Sequence, residues 1–329
     1  MTVMNIPTLA GIALIGAWLL VRAPVGVEVV AEVAQLQFHS DFLLNLHHTL
    51  YAAAWDKRPE AGTLRAFAGR LPAPLEAPMS PEERKAWEAA VSHYDEHVAS
   101  RDLLFGKGMV SLKDALAAGN LSSDAVGKEL RDVLEAATPV YRRHFWTAHD
   151  RANRAWIGQT SDRLKMVAPN VVKRLEQLYG VSWFTSPTRV DVVWVGNRQG
   201  AYTTNGPTHV VISSGDPENT DWTSVEIVFH EVSHTLVLPI QEKINRALGD
   251  RRKAHGVLWH VVQFYLTGAV VQEVLKARGV DYTPYMYSTG LLDRAWSQYR
   301  KPVEDNWSPY VTGKVTLDEA IAGTVAAVK

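Results

Sequence analysis

Two histidines four residues apart, with a glutamate beside the first, are the residues of this 329-residue chain best placed to do chemistry: His230-Glu231-Val232-Ser233-His234. On an α-helix, positions i and i+4 share a face, about one turn apart. Two imidazoles at that spacing can converge on one tetrahedral Zn²⁺, at ~2.0–2.1 Å from each nitrogen. Glu231 leaves the helix at a neighbouring angle, so its carboxylate can reach a water on the metal without ligating the metal. Zinc lowers the pKa of such a water towards ~7, and a carboxylate can take its proton. That is the chemistry of metal-assisted hydrolysis. The alternative is a pair of buried histidines bonded to backbone carbonyls. The flanking Val228, Phe229, Thr235 and Leu236 are uncharged, as suits a mostly buried helix carrying one polar stripe.

The stretch resembles the active-site helix of the zincin metallopeptidases over roughly a dozen residues. The resemblance implies His230 and His234 as zinc ligands and Glu231 as the catalytic base. A metzincin-like continuation would carry glycine at 237 and histidine at 240, where this chain has Val237 and Ile240. A deformylase-like site would need a cysteine, and the chain has none. What remains is gluzincin-like, with a third ligand arriving from a later helix. That helix is expected at 256–276 and offers both His260 and Glu273. The two are separated by ~20 Å along a straight helix and cannot serve one ion. Glu273 has the ligand type of the gluzincins, but beside Lys276 and Arg278 it reads equally well as a solvated ion-pair partner. His260 lies in the nearly uncharged run Leu258-Trp259-His260-Val261-Val262, where a polar ring needs a reason to be buried. His260 is the favoured third ligand, a departure from the gluzincin pattern, and Glu273 is the alternative.

Composition is that of a globular protein, 47% hydrophobic and 21% charged, and long enough for two lobes. A net charge of −1 offers no basic excess for nucleic acid. The absence of cysteine excludes thiol catalysis, disulfides and thiolate-bound zinc. Residues 8–21 form an uncharged apolar run shorter than the ~20 residues of a membrane span. It suits an export signal, cleaved or kept as an anchor, and a periplasmic location.

The elements that must position the site follow from periodicity. Residues 37–51 read as a helix capped by Ser40 or Asp41, in which His47 or His48 could line a cleft. A proline-rich connection covers 58–81, and Ser80-Pro81-Glu82-Glu83 opens the next helix with a capping box. Helical patterns continue over 111–119, 122–137 and 139–168. Strands are expected at 190–195 and 208–214 around a glycine- and asparagine-rich turn. Asp221 or Thr223 would cap the helix of His230, and Thr316 a closing helix. Tyr282, Tyr285 and Tyr287 are candidates to donate to an oxyanion, with nothing to choose among them. The expected fold is α+β and zincin-like: a small mixed sheet with the active-site helix, plus a largely helical N-terminal region. Its parts are a signal peptide or anchor (1–24), a mostly helical region (25–168) and a zincin-like catalytic region (169–329). The expected function is a zinc-dependent hydrolase, foremost a peptidase acting on peptides or proteins. The alternatives are a catalytically silent metal-binding or interaction protein of the cell envelope and a zinc hydrolase of a non-peptide amide.

Overall fold

A five-stranded mixed sheet separates two layers of helices in the computed structural model, which describes residues 28–57 and 78–328. The apolar run at 8–21 and most of the proline-rich connection lie outside the described residues. The first layer opens with strands β1 (Ala31–Val33) and β2 (Leu36–His39). Helices α1 (Phe42–Trp55), α2 (Pro81–His97), α3 (Lys107–Ala117) and α4 (Lys128–Tyr141) follow. A π-helical turn at Arg142–Trp146 joins α4 to α5 (Thr147–Tyr179), and Gly180 ends α5 in the left-handed conformation that glycine adopts without a Cβ penalty. Next come β3 (Thr188–Val193), β4 (Ala201–Thr204), β5 (His209–Ser213) and α6 (Asp221–Leu236), which carries His230 and His234. The chain closes with α7 (Leu238–Leu248), the short α8 (Arg252–His255), α9 (Leu258–Lys276), α10 (Tyr285–Ser288), α11 (Leu291–Trp296), α12 (Arg300–Val311) and α13 (Leu317–Ala327). Among the described residues, no helix is long and apolar enough to cross a membrane.

The fold is thus mixed α+β. Sheet order is β1-β2-β3-β5-β4, with β2, β3 and β5 parallel and the two edge strands antiparallel to their neighbours. Period-two alternation assigns the faces. Val190, Val192, Val210 and Ile212 point into the core shared with α5, α6, α9, α12 and α13, whereas Val193, Val211 and Tyr202 point into the core of α1–α4. The 168/169 division falls inside α5, and β2 pairs with β3 across it. The sheet therefore draws strands from both predicted regions.

Local signals place most helices. Ser80 and Thr316 make reciprocal capping boxes with Glu83 and Glu319. The N-cap of α6 is Thr220 rather than Asp221 or Thr223. Thr223 Oγ1 accepts from the Thr220 N–H at 3.2 Å, while Asp221 turns outward to Arg163. The predicted turn at 196–206 contains β4, whose four residues are too few to show an alternation of their own.

α6 is pinned from behind by Phe229, fully buried with its ring centroid 6.0 Å from that of Trp183. Trp183 in turn donates to the Ala34 carbonyl at 2.8 Å. Phe229→Ala removes this anchor, and the expected cost is about 3–5 kcal/mol, the range for emptying a buried phenylalanine site. Urea unfolding monitored by circular dichroism checks it; a loss below about 1 kcal/mol would mean that the site collapses around the gap.

Candidate metal and hydrolytic site

α6 and α9 bring three imidazoles together. His230, His234 and His260 form a nearly equilateral triangle, with ring centroids 5.0, 5.1 and 5.2 Å apart. One potential ligand atom from each lies within 4.8 Å of the other two, so the group could hold a metal ion. His230 Nε2 and His260 Nε2 are 3.2 Å apart. Bonds of ~2.0–2.1 Å at the tetrahedral angle would separate two ligand nitrogens by ~3.4 Å. Burial pushes His234 down to about 4; burial, with the charge of His234, pushes His260 down to about 3; and His230 is driven well below its ordinary value by burial and both neighbours. All three rings are therefore neutral near pH 7, the form in which imidazole binds metal.

Glu231 sits beside the triangle. Its Oε2 lies 3.9 Å from His234 Nε2 and accepts a 2.7 Å hydrogen bond from Thr203 Oγ1, which also reaches the Glu231 carbonyl at 2.9 Å. Burial pushes this carboxyl up to about 7, against the downward pull of Thr203. Thr203 belongs to edge strand β4 and faces α6, whereas its neighbours Tyr202 and Thr204 face the other layer. The sequence reading missed Thr203 because it lay in the presumed turn.

Glu273 stands elsewhere. It is exposed near the end of α9, its carboxylate 3.4 Å from Arg174 Nε. His47 and His48 do not line a cleft. Both are fully buried on the opposite side of the sheet, His47 Nδ1 bonded to Tyr94 Oη at 2.9 Å and His48 Nε2 to Tyr202 Oη at 3.1 Å. The cause is α1 itself, which bears no Lys, Arg, Asp or Glu and is buried along nearly its whole length. Burial drives His47 down to about 3. The three candidate tyrosines each give the hydroxyl to a carboxylate: Tyr282 to Glu226 at 2.6 Å, Tyr285 to Glu218 at 2.7 Å and Tyr287 to Glu304 at 3.0 Å. None is aimed at the triangle.

Glu226 is the other residue that sequence reasoning passed over, although a carboxylate one turn before His230 in an apolar helix was the available signal. It is fully buried; Oε2 accepts from Tyr282 Oη and, at 3.0 Å, from the Tyr285 N–H. Oε1 has no hydrogen-bond partner and faces Gly268, where a Cβ would lie 3.1 Å from it and 2.7 Å from Pro284 Cβ. Through Tyr285 the carboxyl positions the site. The Tyr285 ring stacks on Phe264, and Phe264 stacks on His230 with ring centroids 3.6 Å apart. Gln263 Nε2 completes the joint with a 2.7 Å bond to the His230 carbonyl.

No family model, curated protein or solved structure matches the chain.

Burial pushes Glu226 from its ordinary 4.5 up to about 7, outweighing the two donors that favour the anion. Between those values the folded protein holds a proton that the unfolded chain has released. The stability this group contributes is thus complete below about pH 4.5 and is lost as pH rises towards 7. Glu226→Gln carries no such proton. The stability of the wild type relative to the variant should fall by up to about 3 kcal/mol across that window. Urea titrations of both proteins at stepped pH measure the difference; a pH-independent offset would refute it.

Proposed function

We propose that this chain is a zinc-dependent hydrolase that cleaves peptide bonds, with His230, His234 and His260 as metal ligands and Glu231 as general base. The observation that carries this reading is the convergence of three neutral imidazoles beside a buried carboxylate held by Thr203. Three nitrogen ligands with a fourth position left open are the arrangement of catalytic rather than structural zinc. His234 and His260 are only partly buried, which leaves that position on the solvent side. Bound there, Zn²⁺ would supply Lewis acidity to the scissile carbonyl and lower the pKa of the attacking water.

The chain's own groups do the rest. Glu231 accepts the proton of the water as its oxygen adds to the carbonyl carbon. As the C–N bond breaks, the same carboxyl delivers that proton to the leaving amine nitrogen. Thr203 holds Oε2 in place for both transfers. The β4 edge favours a peptide over another amide. The Ser213 N–H donates to the Gly200 carbonyl, so antiparallel alternation turns the N–H and C=O groups of Ala201 and Thr203 away from β5. No strand among the described residues pairs with that edge. An extended peptide laid along it would pass beside Glu231. The zincin-like character of the His-Glu-x-x-His helix belongs to this same proposal.

The purified protein should hold about one zinc per chain, and His260→Ala should lose nearly all of it, while Glu273→Ala keeps it. Metal analysis after dialysis decides between them; full retention by His260→Ala would remove His260 from the ligand set. Glu231→Gln should keep the metal and lose about 10²–10⁴-fold in hydrolysis of a diverse peptide mixture. Chelator should abolish the wild-type activity. Cleavage that survives both treatments would overturn the proposal.

A further inference from the structure

The surroundings of the histidine triangle are not uniform. Glu231 and Thr203 form its polar side, along β4. The other side is aromatic. Trp259 stands with its ring centroid 5.8 Å from that of His234 and 5.2 Å from that of His260. Trp296, brought in by α11, lies 5.6 Å from His260 and 5.5 Å from Phe264. Both indoles are only partly buried, like the two histidines they touch. Among the described residues, no lysine or arginine pairs with the triangle, and its one carboxylate neighbour is Glu231.

The apolar character continues outward. Only five large hydrophobic side chains are exposed among the described residues, and one of them, Val257, stands at the N-terminus of α9, three residues before His260. The Val257 carbonyl accepts the His260 N–H at 2.9 Å, which ties this exposed side chain to the first turn of the helix that carries His260. Partly exposed indoles beside a reaction centre, with an exposed valine next to them, offer apolar area that a ligand can cover. A charged side chain placed here would lose water and gain no counter-ion, whereas an aromatic or large aliphatic one would bury apolar area against two indoles.

We infer that Trp259 and Trp296 form the primary specificity site, which takes a large apolar, preferentially aromatic, side chain of the residue flanking the scissile bond. This rests on the peptidase reading, because it is the neighbouring triangle and Glu231 that make the occupant a substrate side chain. The edge of β4 holds the backbone on one side of the triangle, and the indoles receive the side chain on the other.

The test uses the zinc-loaded full chain in two independent assays. In the first, a synthetic peptide library is digested and the cut sites are read by mass spectrometry. Phe, Tyr, Trp or Leu should be enriched at one position adjoining the cut. Trp259→Ala and Trp296→Ala should each lower kcat/KM about tenfold or more for a Phe peptide, and change the matched Ala peptide little. Trp259→Phe should restore most of the preference, which a merely structural role would not predict. The second assay needs no turnover. Two zinc-chelating hydroxamates that differ only in a benzyl or a methyl side chain are titrated by calorimetry. The benzyl compound should bind at least about tenfold more tightly to the wild type, and the gap should close in the alanine variants. Zinc content and circular dichroism confirm that those variants are folded and loaded. A protein that holds zinc and binds both hydroxamates without preference, or that cuts beside charged or small residues, overturns this inference and leaves the hydrolase reading standing. A protein that neither retains zinc nor binds either hydroxamate overturns both.

Discussion

The structure depends on how closely α6 and α9 approach. Glycine at 268 permits that approach, because a side chain there would press on Pro284 and on the buried Glu226 carboxyl. With the helices so close, Phe264 lies flat on His230 and Gln263 caps the His230 carbonyl. His260 on α9 is thereby brought to the two histidines of α6. One seam sets ring distance, burial and protonation state together. Three imidazoles this near one another in water would titrate close to neutrality; packed here, they stay uncharged.

The two sides of the sheet hold polar groups in different states of pairing. Behind it, Asp191 is fully buried and accepts from Arg189 and His209, while His209 also bonds Asp114 and Lys113 bonds Thr204. Burial would push the Asp191 carboxyl up, but the His209 and Arg189 partners outweigh it and hold it below the usual carboxylate range. That network is closed on itself. In front of the sheet, Glu231 is held by one hydroxyl and the histidines by one another, so those groups retain valence for a ligand. β4 joins the two environments, because its alternate residues face opposite ways: Thr203 to Glu231, Tyr202 and Thr204 to the rear network.

Much of this was legible in the chain, for physical reasons that differ from element to element. The i, i+4 histidines and the intervening glutamate needed only helix geometry, which is local. Ser80 and Thr316 announced their helices through capping chemistry confined to four residues. β3 and β5 declared themselves by β-branched runs. β4 did not, because its alternation is read from pairing with β5 rather than from composition. Glu226 showed as a carboxylate in an apolar helix, but its partners lie 56 and 59 residues away.

What the sequence determined by itself was therefore the spacing of two histidines and a glutamate on α6 and the α+β class, since both follow from spacings of a few residues. The tertiary structure decided between His260, which the sequence favoured, and Glu273 as the residue of α9 that meets α6. That helix is apolar around most of its circumference, so its sequence does not say which side faces its neighbour. Its height and rotation put His260 beside His230 and leave Glu273 in solvent with Arg174. The same holds for His47 and His48. Their helix is uncharged on every side, and only the layers packed around it determined that they would be buried behind the sheet, away from the histidine triangle. Amphipathicity carries direction from sequence to structure, and where a helix lacks it, long-range packing supplies the direction instead.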